Sequence, residues 1–283
     1  REDGGISCWG LNDTNQLAAP AGRYTALSAG RAHTCARTVD GNTRCWGGTN
    51  SRNERLVPYY DFVSLNVGAG EACGLDYDGN ATCVGNPTAL RPAVGRYKAL
   101  SFGATTACAI GRDDRVSCWG ASLGASPTDR MSAISVGTTH ACALRIDGSV
   151  ACWGDNAGGQ ATPPAGRFYF VSSGDGFSCG IRENSSLACW GQGAAVAQVP
   201  AGAFYGRLSA RGGNVCAIDF GNGIHCWGAD AAALTPPQGL DYLHEIAVGD
   251  RHACVLRGNG VVSCWGNNQN GQLTAPTGDA FTA

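Results

Sequence analysis

The chain has 283 residues, among them 43 Gly and 15 Cys, with 20 basic and 22 acidic side chains and a formal net charge of −2. Charged residues make up only 15%, well below the roughly 25% of ordinary soluble domains, which excludes a disordered tail and a coiled coil. The charge balance leaves no counterion-release footprint, so no nucleic-acid partner is expected, and no run approaches the roughly 18 apolar residues of a membrane span.

In chain order, the first element is a Cys-Trp-Gly strand at residues 6–10, whose Cys8 has no cysteine ten positions before it. An extended segment from Tyr24 to Gly30 leads into a hairpin bounded by Cys35 and Cys45. A polar excursion from Gly48 to Leu56, followed by Tyr59 and Tyr60, precedes the hairpin Cys73–Cys83, where Val84 replaces the usual Trp. The hairpins Cys108–Cys118, Cys142–Cys152, Cys179–Cys189, Cys216–Cys226 and Cys254–Cys264 follow, each closing in Cys-Trp-Gly. Extended segments such as Met131 to Gly137 lead in, and Pro-bounded stretches such as Gln160 to Pro163 and Gln272 to Pro276 lead out. Phe281-Thr-Ala283 repeats Tyr24-Thr-Ala26, so the chain stops just as another repeat starts.

Seven cysteine pairs keep one ten-residue spacing, a regularity that zinc sites with their short Cys-x-x-Cys spacings do not share. Asp-Gly at 40–41, 78–79 and 147–148 and Asn259-Gly260 place a turn midway between the cysteines. A three-residue loop with Gly last in the left-handed conformation sets residues i and i+10 directly opposite, with Cα atoms roughly 4.5–5.5 Å apart, close enough for a cross-strand disulfide. Aliphatic residues two positions away, Leu75, Ile110, Leu144, Ile181, Ile218 and Leu256, put each disulfide on a buried face. One residue after the first Cys stand only Ala36, Gly74, Ala109, Ala143, Gly180, Ala217 and Val255, small enough to receive the Trp rings of neighbouring blades. With the Pro-bounded stretch as an edge strand, and copies of the Cys-Trp-Gly strand 34 to 38 residues apart, the expected fold is all-β. It is a β-propeller of about seven four-stranded blades, each with a cross-strand disulfide. The whole chain, 1–283, is then one domain of repeats of about 37 residues, and 1–20 and 273–283 are terminal half-repeats that either close the ring or pair with another subunit.

The combined pattern, aliphatic-x-x-Gly-x-x-His-x-Cys-Ala-Leu-x-x-Asp-Gly-x-x-x-Cys-Trp-Gly-x-Asn-x-x-Gly-Gln, resembles the regulator of chromosome condensation repeat. Residues 134–160 and 246–272 carry it most fully, and residues 68–95 depart most. The resemblance implies a propeller, usually of seven blades. It implies no single activity, since relatives of this kind include a nuclear exchange factor, plant receptor ectodomains and secreted inhibitors of β-lactamase. Seven disulfide-ready pairs point outside the cytosol, to a secreted, extracellular or cell-surface protein whose Arg1 follows a removed leader.

Candidate chemistry is sparse. His33, His140 and His252 share the position two before the first Cys, but Glu71, Thr106, Phe177 and Asn214 occupy it elsewhere, so these histidines read as loop hydrogen-bonders and no metal or cofactor is expected. No nucleophile elbow or phosphate loop occurs, and the aspartates are mostly turn formers, so no catalytic residues are assigned. Arg52, Arg55, Tyr59 and Tyr60 form a candidate binding patch of hot-spot residue types. Asn12, Asn80 and Asn184 head glycosylation sequons. The functional expectation is a non-enzymatic, secreted structural and protein-interaction propeller, whose partner is another protein or further copies of itself. The surplus strand and unpaired Cys8 suggest self-assembly into a polymer. The alternatives are a monomeric binding or inhibitor module acting through rim loops and, behind it, an enzyme.

Overall fold

Ten residues from cysteine to cysteine hold one hairpin, and its turn chemistry dictates the register. In the fourth repeat, strand β1 (Met131–Val136) pairs antiparallel with β2 (His140–Arg145), which pairs with β3 (Val150–Gly154). Arg145 N–H donates to Ser149 at 2.8 Å and Gly148 N–H to Arg145 at 2.9 Å, closing a three-residue loop with Gly148 at φ +85°. Cys142 therefore lies directly opposite Cys152, with Cα atoms 4.1 Å apart and the sulfurs bonded. The same loop position is left-handed at Gly41, Gly79, Asp114, Ser185, Asn222 and Gly260, where the non-glycine residues are the small polar types that tolerate it best.

This computed structural model describes residues 1–283 except 31–32, 49–61, 68–70, 86–94, 201–204, 231–233, 277–279 and 282–283. It contains seven such three-stranded sheets, blades 1 to 7, opening at Tyr24, Phe62, Tyr97, Met131, Phe168, Tyr205 and Leu243. Each has one disulfide, at 35–45, 73–83, 108–118, 142–152, 179–189, 216–226 and 254–264. A four-residue helix, Ala194–Ala197, joins blades 5 and 6. No helix among the described residues is long and apolar enough to cross a membrane.

Among the described residues each sheet has three strands, and the expected fourth is not seen. After blade 4, the Pro-bounded stretch turns on itself instead of pairing. Gly159 N–H donates to Asn156 and Thr162 N–H to Gly159, while the buried Gln160 side chain donates to Asp155 at 2.7 Å. Pro163 and Pro164 have no N–H to offer a sheet edge.

The assignment of Trp rings to the small residues is also corrected. In every blade the register slips by one between the first and third residues of the first strand. This bulge turns the first side chain onto the small-residue face. A Cβ on Gly74 would stand 2.2 Å from the Phe62 ring, and one on Gly180 would stand 2.7 Å from Phe168. The occupant is the blade's own opening residue, and the two sizes complement one another across the repeats. Phe62 and Phe168 face Gly74 and Gly180, Tyr24, Tyr97, Met131 and Tyr205 share buried clusters with Ala36, Ala109, Ala143 and Ala217, and Leu243 packs on the cluster that holds Val255.

The Trp rings do lie between blades. The face bearing Cys108, Ile110 and Val116 packs on Met131, Val136, Ala143 and Trp153 of the next blade. Cys142, Leu144 and Val150 pack likewise on Phe168, Val171 and Trp190. Contacts between blades run through first and second strands. Serines in the first strands stitch them together: Ser28, Ser101, Ser135 and Ser209 accept from the backbone N–H of Val67, Val136, Ser173 and Val248, at 2.9–3.1 Å.

The surplus ends meet in the same chain. Residues 1–5 repeat the turn of a third-strand hairpin: Gly4 N–H donates to Arg1 at 2.9 Å, and Gly4 has φ +80°. Glu2 N–H donates to Ala280 at 2.8 Å, as Ile146 does to Arg130 at 3.2 Å. Trp9 Nε1 donates to the Gln272 carbonyl at 2.9 Å, as Trp46 does to that of Gln16 at 3.0 Å. Ile6 and Cys8 pack against Tyr24, Ala36 and Trp46 of blade 1, while Trp9 meets Phe281 edge-on at 6.2 Å. A partial eighth blade thus sits between blades 7 and 1. It holds a third strand's position and the opening of a first strand, with no middle strand among the described residues.

A candidate interaction surface on the hairpin-turn rim

Turns between second and third strands all lie at one end of their sheets, next to where the first strands begin. The first loop residue, four positions after the first cysteine, points to solvent in each repeat. Four of the seven are large and apolar or aromatic: Val39 at 57% exposure, Tyr77 at 66%, Ile146 at 54% and Phe220 at 68%. Single exposed apolar residues are ordinary, but a ring of them set by one repeat position is a surface.

The rim is densest around blades 1 to 3. Arg37 Nη2 reaches the Tyr77 hydroxyl at 3.5 Å from the neighbouring blade, and Arg112 Nη2 donates to the Tyr77 carbonyl at 2.8 Å from the other side. Tyr77 and Arg112, with Val63 and Lys98, edge an open depression of about 440 Å³ floored by Leu75 and Tyr97. Asp114, in the adjacent turn, receives both Lys98 and Arg130, and the Lys98 ammonium first of all holds its carboxyl below the usual carboxylate range. Asp76 is held low by the Asn80 amide. Both carboxylates are engaged internally, which leaves Tyr and Arg, the types that dominate binding hot spots, facing outward.

The patch expected at Arg52, Arg55, Tyr59 and Tyr60 lies outside the described residues, as does the side chain of Val84. Asn12, Asn80 and Asn184 are exposed. The histidines at the shared position are buried to different degrees: His33 and His140 fully, His252 in part. His140 Nε2 meets Ser178 Oγ at 2.8 Å, and burial pushes its pKa, and that of His252, below the ordinary value. Among the described residues no group of three or more His, Cys, Asp or Glu side chains is placed to hold a metal ion. Cys8 is a free thiol, half-buried, and burial raises its pKa.

The repeat chemistry is now in place: a left-handed turn, a directly opposed disulfide and, at Trp9, Trp46, Trp227 and Trp265, an indole N–H that reaches back to the preceding loop. The regulator of chromosome condensation (RCC1) repeat matches residues 131–160 and 244–272. These two stretches are similar to the RCC1 repeat. No curated relative matches the sequence. Among solved structures, the chain is similar to the ectodomain of the Physcomitrella patens receptor kinase CR4, at 26% identity and TM-score 0.69 over 86% of this chain and 72% of that one. It is also similar to the CRINKLY WD40 ectodomain of the Arabidopsis thaliana receptor kinase ACR4, at 22% identity and TM-score 0.69 over 88% of this chain and 96% of that one. Prp20p of Saccharomyces cerevisiae, whose binding to Gsp1p and histones has been described, shares the fold at 14% identity and TM-score 0.60, over 98% of this chain and 84% of that one. The molecule is a disulfide-rich β-propeller repeat protein.

Proposed function

We propose that this propeller is a secreted, non-catalytic interaction module that binds a protein partner through its hairpin-turn rim, centred on Tyr77 and Arg112. The observation that carries the reading is the convergence of Arg37, Tyr77 and Arg112 from three successive blades on one exposed patch. Seven local disulfides fit a protein that works in an oxidising environment, and the whole chain, 1–283, serves as one domain. Self-assembly through surplus strands has less support, because both terminal segments are engaged with each other and with blades 1 and 7 of the same chain. The test is affinity isolation from the native extracellular fluid, followed by titration of the purified partner against Tyr77→Ala and Arg112→Ala. Loss of a hot-spot residue costs about 2 kcal/mol or more, roughly a thirtyfold rise in Kd. Unchanged affinity in both variants, or partner loss only on substituting residues of the opposite rim, would refute the assignment.

A further inference from the structure

The rim opposite the hairpin turns holds a gap between blades 3 and 4. Where two blades meet at this end, the loop that leaves one blade plugs the seam to the next. Gln160, Ala195 and Leu234 are the plugs at seams 4/5, 5/6 and 6/7, and all three are fully buried. Gln160 stands against Gly191 of blade 5, while the carbonyls of Ala195 and Leu234 accept the indole N–H of Trp227 and Trp265. At seam 3/4 the loop runs only seven positions from Gly120 to Pro127, against nine from Gly154 to Pro163, and it contains no Gln. Its Leu123 is half-buried against the cluster that holds Trp153, and beside it opens a depression of about 470 Å³. Trp153 itself is buried, and its indole N–H has no hydrogen-bond partner. Trp190 lacks one too, but at its seam the Gln160 plug fills the space. Seam 3/4 thus joins an unfilled gap to an orphaned donor.

We propose that this depression binds a 2-acetamido sugar, whose acetamido carbonyl accepts from Trp153 Nε1 as the plug carbonyls accept at the other seams. The direction of the indole follows from the repeat. Trp46, Trp227 and Trp265 all donate to the loop that leaves the preceding blade, and residues 121–124 of the corresponding loop wall the depression. The remaining walls are hydroxyl-rich, with Thr105, Thr106, Ser122, Thr138 and Thr139 around the Asp155 carboxylate. Thr106 Oγ1 donates to the Ala121 carbonyl at 2.8 Å, and Asp155 accepts from Ala157 N–H at 3.1 Å and Gln160 Nε2 at 2.7 Å. These bonds fix the walls and leave lone pairs that a ligand hydroxyl can reach, while the exposed Thr105, Ser122, Thr138 and Thr139 can donate as well as accept. Among the described residues that line the depression none is cationic, and Asp155 is an anion, so an anionic ligand finds no counter-charge. A neutral ring bearing several hydroxyls matches these walls. The acetamido group adds the carbonyl that the buried donor requires, and its methyl meets Leu123. The volume falls within the roughly 300–1,000 Å³ of small-molecule sites.

The test follows the indole N–H resonances of the isotope-labelled 283-residue protein, with the Trp153 signal assigned through Trp153→Phe. Titration with N-acetylglucosamine, N-acetylgalactosamine or diacetylchitobiose should shift the Trp153 signal ahead of those of the other tryptophans. Glucose and cellobiose, which lack the acetamido group, should bind about tenfold more weakly or worse, as read from the backbone amides of residues 121–124 and 138–139. Thr138→Leu, at an exposed side chain, should raise Kd for the acetamido sugars about tenfold or more without lowering Tm, and Trp153→Phe should abolish the preference for them over glucose. Failure of all three acetamido sugars to bind, shifts confined to other tryptophans, or an affinity unmoved by Thr138→Leu would overturn the proposal. Tighter binding of a peptide copying residues 155–161 would assign the gap to a protein plug, and tighter binding of spermidine would make it a cation site around Asp155. Either of these would overturn it as well.

Discussion

Substituting Gly180 by Ala isolates the size complementarity inside one blade. The added Cβ would meet Phe168 Cδ1 at 2.7 Å and the Phe170 carbonyl oxygen at 2.9 Å. Ordinary carbon contacts lie near 3.5–4.0 Å, so the Phe168 ring must retreat by roughly 1 Å. It has little freedom to do so, since Trp190 sits edge-on at 6.0 Å and the Arg182 guanidinium lies 4.8 Å over the ring. Overpacking of this kind costs about 1–3 kcal/mol, which at about 2 °C per kcal/mol for a chain of this length lowers Tm by roughly 2–6 °C. Blade 4 shows how to relieve it, because Met131 shares a cluster with Ala143. In a double-mutant cycle read by thermal unfolding with the disulfides intact, Phe168→Met should therefore recover most of the loss in the Gly180→Ala background, with a coupling of about 1 kcal/mol or more. A neutral Gly180→Ala, or strictly additive changes, would refute the packing rule.

Trp265→Phe removes an indole N–H that donates to the buried Leu234 carbonyl at 2.8 Å, and the orphaned acceptor should cost about 1–3 kcal/mol in denaturant unfolding. Because burial lowers the pKa of His140 and His252 in the fold, the unfolded chain binds protons first as pH falls. Their contribution is intact above about pH 6.5 and declines as pH drops below it toward their folded values, so Tm should decrease across that window, and less steeply in His140→Gln. Replacing Cys142 and Cys152 together by Ala opens an eleven-residue loop, worth at most about 3 kcal/mol. Hydrogen exchange should rise in blade 4 and leave blades 1 and 7 as they were.

How far each feature was readable from residues follows the range over which it is encoded. The disulfide pairs are local: ten positions with a left-handed residue near the middle admit few geometries, and Asp114, Ser185 and Asn222 adopt the same turn without glycine. The repeat period and interblade Trp were legible for the same reason. The fourth strand misled because the stretch from Gln160 to Pro163 has an edge strand's composition, whereas its Gln160 side chain is spent inside the loop on Asp155. The bulge at the start of each first strand breaks the two-residue alternation, so the alternation alone does not place Phe168 on the face of Gly180. The turn rim has a signal in the sequence that only alignment of the repeats by their first cysteine brings out: Val39, Tyr77, Ile146 and Phe220 share one repeat position.

Each disulfide closes within a blade and none joins one blade to the next, while the two chain ends lie side by side at Glu2 and Ala280. A pull applied through those ends therefore loads the seam like a zip, one contact at a time, instead of shearing many bonds together. Beyond the seam, blades should detach singly from the ends, each with its hairpin still knotted. At ~3.5 Å per residue, a fully extended repeat of about 37 residues would release roughly 130 Å of chain, and the staple withholds about 35 Å of it. In a force–extension trace the molecule would behave as a row of shortened, equal steps, and adding reductant would lengthen every step by that amount.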